Sequence, residues 1–264
     1  MTAIDATFRR LRAIGERGLV VYLTAGDPTP AASLRYFRAA ADAGADIIEV
    51  GVPFSDPTAD GPTIEAASHR ALSSGMNVEG VLELVRKFRT THATPVVLFG
   101  YYNPFFRYGW SSLCKNARKA GVDGFLAVDL PFEERGEVLP AVRKAGLDWI
   151  PLAAPTSGMA RVRAADRAGS GFLYLISVTG VTGVRKTLPA EVAAWTRKLA
   201  KETRLPIVVG FGISSPAMAA AATRHADAAV VGSACVEIVE RNGSGQRGPE
   251  ELSRFVRSLK KALR

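Results

Sequence analysis

The stretch GLVVYLTAGDPTPAASLRYFRAAADAGADIIEV, residues 18–50, decides the fold. It opens on an apolar run, Leu19–Leu23, turns through Gly-Asp-Pro into apolar residues at helical spacing over Ala31–Ala43, and returns to a second apolar run, Asp46–Val50. Runs of this kind read as strands buried on both faces, and a helix between two of them makes a βα unit of a parallel sheet wrapped in helices. Outward from this unit the pattern recurs. Strands are expected at Pro95–Phe99, Gly124–Val128, Trp149–Leu152, Phe172–Ile176, Ile207–Val209 and Ala228–Val231, which with the first two makes eight. Helical spacing falls at Val78–Arg89, Ser111–Ala120, Glu133–Ala145, Ala160–Ala168, Pro189–Glu202 and Ser215–Thr223, most of it ending at a glycine or an X-Pro step. Eight such units in 264 residues, with no long linker, predict an α/β protein with one domain over 1–264. A closed (β/α)8 TIM barrel suits that length better than a doubly wound open sheet. An extra N-terminal helix, Ile4–Ile14, is expected to plug the bottom of the barrel, and a flexible surface loop, Asn242–Gly248, to precede a last helix, Glu250–Leu263.

The bulk composition, 47% hydrophobic and 22% charged, is that of a globular protein able to bury one large core. The first ten residues carry Asp5, Arg9 and Arg10 and so lack the apolar run of a secretory signal, and no later segment approaches the roughly 20 apolar residues of a membrane span. A cytoplasmic protein with no membrane association is expected. Cys114 and Cys235 lie far apart and read as buried apolar residues rather than a disulfide or a zinc site. The net charge of +9 is spread along the expected helices without interleaved aromatics, which argues against nucleic-acid binding and leaves steering of an anionic substrate as its use.

In a barrel the chemistry sits at the C-terminal ends of the strands. Glu49 stands one residue before the end of the second strand, on the same face as Ile47. A carboxylate there is either an interior ion pair or a general acid/base lifted toward neutrality by apolar walls. The loop that follows, 51–62, is stiffened by Pro53, Pro57 and Pro62 and carries Asp56 and Asp60. Aspartates in such loops often bond their own backbone, but a stiff loop can also hold Asp60 opposite Glu49. The last two strands end in Gly210-Phe-Gly-Ile-Ser-Ser and Gly232-Ser233, each leading into a helix start where bare N–H groups favour a phosphate. Ser215 breaks a dinucleotide fingerprint, so a nicotinamide cofactor is not expected. A third glycine-rich loop, 177–186, suits a lid. His69, His92 and His225 are scattered, and no metal site is expected.

Glu49-Val-Gly-Val-Pro-Phe-Ser-Asp-Pro-Thr-Ala-Asp-Gly-Pro-Thr-Ile resembles the signature of the tryptophan synthase alpha subunit family. The resemblance extends to Leu23-Thr-Ala-Gly-Asp-Pro, Tyr102-Asn-Pro, Asp129-Leu-Pro-Phe-Glu-Glu and the late glycine loops, and so covers nearly the whole chain. It implies retro-aldol cleavage of indole-3-glycerol phosphate to indole and glyceraldehyde 3-phosphate, with Glu49 and Asp60 catalytic. It further implies that Gly183, Gly212, Gly232 and Ser233 cradle the phosphate, that Tyr22, Tyr174 and Phe211 wall the indole slot, and that Thr182 holds Asp60 when the lid closes. No cofactor is implied in this chain. Pyridoxal phosphate would belong to a beta-subunit partner, joined in an alpha2-beta2 tetramer through the loop around Pro53–Asp60. Thr58, Glu65 and Val178 depart from the family's common pattern. A stand-alone lyase and a catalytically reduced activator of a beta subunit stay open as alternatives.

Overall fold

A computed structural model describes residues 1–176, 190–210 and 212–264. The chain begins with helix α1 (Ala3–Ala13), then β1 (Gly18–Thr24), α2 (Pro30–Asp42), β2 (Ile47–Gly51), α3 (Pro62–Ser73), α4 (Val78–Arg89) and β3 (Val96–Gly100). Next come α5 (Tyr102–Tyr108), α6 (Trp110–Ala120), β4 (Gly124–Ala127), a 3₁₀ turn (Phe132–Glu137), α7 (Leu139–Lys144), β5 (Asp148–Trp149) and β6 (Leu152–Ala153). The rest is α8 (Met159–Ala168), β7 (Leu173–Ile176), α9 (Ala190–Leu199), β8 (Ile207–Gly210), α10 (Pro216–Ala222), β9 (Ala228–Val231), α11 (Ser233–Asn242) and α12 (Arg247–Lys261).

The strands form one parallel sheet in the order β5-β4-β3-β2-β1-β9-β8-β7-β6. Its two ends are consecutive in the chain, and this closes it. The Ile150 amide donates to the Phe125 carbonyl at 2.9 Å on one side, and the Pro151 carbonyl accepts from the Tyr174 amide at 2.9 Å on the other. β5 and β6 are therefore the two halves of the fifth barrel strand. The expected run Trp149–Leu152 breaks at Pro151, which has no N–H to give a ladder. A proline also corrects the expected helix Glu133–Ala145. Pro140 cannot sit inside it, so a 3₁₀ turn ends at Glu137 and α7 starts afresh at Leu139.

Alternate residues of each strand enter the barrel. Ile47, Val20, Val97, Leu126, Ile150, Phe172, Val208 and Ala228 fill its interior, and Ile4, Phe8 and Leu11 of α1 join them from below, the rings of Phe8 and Phe172 lying 6.0 Å apart. The expected N-terminal plug is thus present. The opposite strand faces, among them Leu19, Val21, Ile48, Val50 and Leu98, pack beneath the outer helices. The segment 242–248 is tied down rather than loose. Tyr36 donates to the Gly243 carbonyl at 2.8 Å, and α12 already begins at Arg247.

At the bottom, aspartates stitch neighbouring strands together. Asp46, Asp123 and Asp227, each just before a strand, accept from the amides of Leu19, Val96 and Ile207 at 2.9, 2.8 and 2.8 Å, residues at or next to the start of the strands alongside. Each also meets a cation: Asp46 has Arg10 and Lys260, Asp123 has Arg89, and Asp227 has Arg12. This fixes strand register where the barrel has no chemistry to do.

Candidate active site

At the other end of β2 the interior turns polar. Glu49 lies in register with Tyr22 of β1 and Val97 of β3, and its parity with Ile47 sends its side chain into the barrel. It is 0% exposed, and neither carboxylate oxygen has a hydrogen-bond partner among the described residues. Desolvation alone raises its pKa from 4.5 to about 8. No ion pair engages Glu49 among the described residues.

Asp60 hangs from the loop between β2 and α3. Its amide donates to the Pro57 carbonyl at 3.0 Å, a turn that sets the loop's end, and Gly61 and Pro62 then open α3. Its Oδ2 accepts from the Tyr101 phenol at 3.1 Å. Burial raises the Asp60 pKa from 3.8 to about 6, opposed by the Tyr101 hydrogen bond and assisted by Glu65. The two carboxyls thus have distinct states at neutral pH: Glu49 mainly protonated, Asp60 mainly ionised.

Aromatic rings stand around them. Tyr22 meets Phe99 edge-on at 5.1 Å, and Phe99 meets Tyr174 at 6.4 Å. Tyr22 and Tyr174 are buried, and their phenol pKa values are pushed well up, chiefly by burial, with both Glu49 and Asp60 adding to the rise, which places each tyrosine near both carboxyls. Close packing against the strand ends depends on glycine. A Cβ at Gly210 would meet the Tyr174 hydroxyl at 2.5 Å. Val128, Leu152 and Ile176 complete the apolar rim.

The glycine loops after β8 and β9 are neighbours, because those strands pair. Gly212 has φ +60, a conformation that favours glycine. Gly232 caps α11, with Ser233 its first residue, and lies 3.5 Å from the Tyr22 Cβ as judged by a Cβ built on it. The start of α11 therefore lies beside Tyr22. Thr182, Gly183 and Phe211, and the loop expected as a lid, lie outside the described residues. Sequence reasoning passed over Tyr101 and Phe99. The signal for both was position, since each sits at the C-terminal end of β3. Among the described residues no group of His, Cys, Asp and Glu is placed to hold a metal ion, and no helix is long and apolar enough to cross a membrane.

A closed parallel barrel with carboxyls, aromatic rings and glycines gathered at the C-terminal ends of its strands carries its polar groups where barrel enzymes carry their active sites. The family model for the tryptophan synthase alpha chain matches residues 8–264. The tryptophan synthase alpha chain of Citrifermentans bemidjiense is 46% identical over 263 residues, covering 100% of this chain and 98% of its own, and that of Geobacter sulfurreducens is 44% identical over 263 residues, covering 100% and 99%. The solved alpha chain of Legionella pneumophila superposes with a TM-score of 0.91 at 37% identity, covering 100% of this chain and 97% of that one. A Mycobacterium tuberculosis tryptophan synthase structure superposes with a TM-score of 0.92 at 33% identity, covering 100% and 98%. The chain belongs to the tryptophan synthase alpha chain family. It is a lyase of tryptophan biosynthesis that cleaves indole-3-glycerol phosphate.

Proposed function

We propose that Glu49 and Asp60 are the catalytic residues of this cleavage. The observation that carries the reading is a fully buried glutamate whose oxygens have no hydrogen-bond partner among the described residues, at the same barrel mouth as an aspartate of lower pKa, both acting on Tyr22 and Tyr174. Protonated Glu49 delivers its proton to indole C3, and ionised Asp60 accepts the ring N–H as positive charge develops there. The Glu49 carboxylate then removes the proton of the side-chain hydroxyl. The bond from C3 breaks, its electron pair returns to the ring, the hydroxyl carbon becomes the aldehyde of glyceraldehyde 3-phosphate, and Glu49 is protonated again. Each positioned proton transfer contributes about 10²–10⁴ in rate, and an anion facing developing charge in a dry site adds electrostatic stabilisation.

Tyr22, Tyr174 and Phe211 wall the indole, and Gly183, Gly212, Gly232 and Ser233 take the phosphate, the helix start at Ser233 suiting an anion. Thr182 holds the Asp60 loop when the site closes. This chemistry asks for no cofactor in this chain. Its partner is a pyridoxal-phosphate-bearing beta subunit in a cytoplasmic alpha2-beta2 tetramer, which receives indole through a contact that includes Pro53–Asp60. The test is indole release by the purified chain with and without a matching beta subunit. Slow release strongly activated by the partner supports the complex. Fast release regardless of partner supports a stand-alone lyase, and no release in either case contradicts the catalytic assignment in favour of an activator.

A further inference from the structure

Tyr101 follows β3 directly and is buried, 3% exposed, with its phenol engaged on both sides by the loop that bears Asp60. The phenol oxygen accepts from the Ala59 amide at 2.9 Å and donates to Asp60 Oδ2 at 3.1 Å. Its ring lies 5.3 Å from the ring of Phe54, near the start of the same loop. One side chain therefore grips both ends of a segment that has little other structure, and spends its single proton on one oxygen of one carboxylate. Asp60 Oδ1 takes no hydrogen bond among the described residues.

We propose that Tyr101 is a positioning residue for the cleavage reaction: its phenol fixes the loop backbone and one Asp60 oxygen, leaving the other oxygen for the substrate's ring N–H. This rests on the Asp60 role given above. A tyrosine suits the task better than a cation. It orients the carboxylate without neutralising the negative charge that the developing indoleninium needs, as a Lys or Arg at the same place would do. The charged and titratable groups facing Asp60 are consistent with this. Among the described residues they are Glu65 of α3, Tyr22 of β1, Tyr174 of β7 and Tyr101 itself, with no Lys or Arg. Burial, together with Asp60, pushes the Tyr101 phenol well above its ordinary range, so it remains a donor at every working pH.

The experiment is Tyr101→Phe, which keeps the ring against Phe54 and removes only the hydroxyl. Loss of a hydrogen bond to a charged group predicts a kcat lower by roughly 10- to 100-fold at neutral pH, with KM changed by less than about 2-fold. The acid limb of the pH profile moves to higher pH, because the bond that favours ionised Asp60 is gone. Asp60 followed by carboxyl NMR shows the same upward move without reference to turnover. In an Asp60→Asn background, Tyr101→Phe costs no further activity if it acts through Asp60. Wild-type kcat with an unmoved acid limb would overturn the proposal, and so would an equal loss in the Asp60→Asn background, which would mark a merely structural role. If Asp60→Asn itself kept full activity, the Asp60 assignment would fall and this proposal with it, a result distinguishable because the NMR shift would persist.

Discussion

Asp46 and Glu49 are three residues apart on one stretch of chain, about 10 Å along it at strand rise, and both are buried. Asp46 is fully employed. Its Oδ1 faces Arg10 at 2.6 Å, and its Oδ2 takes the Leu19 amide at 2.9 Å and the Lys260 ammonium at 2.8 Å. Glu49 has no such partner among the described residues. The same kind of side chain serves register at the bottom of the barrel and stays available for substrate at the top. Lack of a partner does not by itself mark chemistry. Asp148, also at the bottom, is raised by burial and keeps one oxygen unbonded. What separates Glu49 is an unpaired carboxyl at the C-terminal end of a barrel strand, where substrate arrives.

Substitutions can break this contrast. Glu49→Gln, which keeps the shape and removes the acid, should lower kcat by about 10²–10⁴ while leaving the fold and glycerol-phosphate affinity unchanged, as measured by indole release and calorimetry. Retention of more than a tenth of wild-type turnover would put the proton transfer elsewhere. Asp46→Asn should do the reverse. It leaves Lys260 buried with Glu16, 3.3 Å away, as its remaining carboxylate. Removing one member of a buried pair costs about 3 kcal/mol, which for a chain of this size lowers Tm by roughly 6–12 °C. Cleavage by the molecules that remain folded should be near normal.

The contrast is sharpened by pH. The Glu49 pKa is raised in the fold, so its contribution to stability is fully present below about 4.5 and is lost as pH rises through about 8, where ionisation forces a bare charge into the barrel. Glu49→Gln removes that penalty. The variant should be close to the parent at pH 5 and exceed it by roughly 10 °C or more in Tm at pH 9, read by thermal unfolding at both pH values. An equal difference at both would attribute the gain to packing rather than to charge.

These contrasts were unequally legible in the sequence. The barrel and its eight strand positions follow from apolar runs and helical spacing, which are local. Glu49 stands out because a carboxylate inside such a run is costly, and the glycines after β8 and β9 because helix starts are legible. The breaks at Pro140 and Pro151 were available from proline chemistry but were smoothed over by the repeat. The pairing of Asp46 with Lys260 was not available, since 214 residues separate them and only closure of the barrel brings them together. Tyr101 escaped for the same reason: its phenol meets a loop 41 residues earlier in the chain.

The most direct test of the central claim is the titration of the Glu49 carboxyl by carbon NMR, assigned by its loss in Glu49→Gln. The expected midpoint is near 8, with the group protonated at neutral pH and ready to donate. A midpoint at or below 4.5 would mean that Glu49 is ionised and partnered in solution, and would contradict the contrast between a paired Asp46 and an unpaired Glu49.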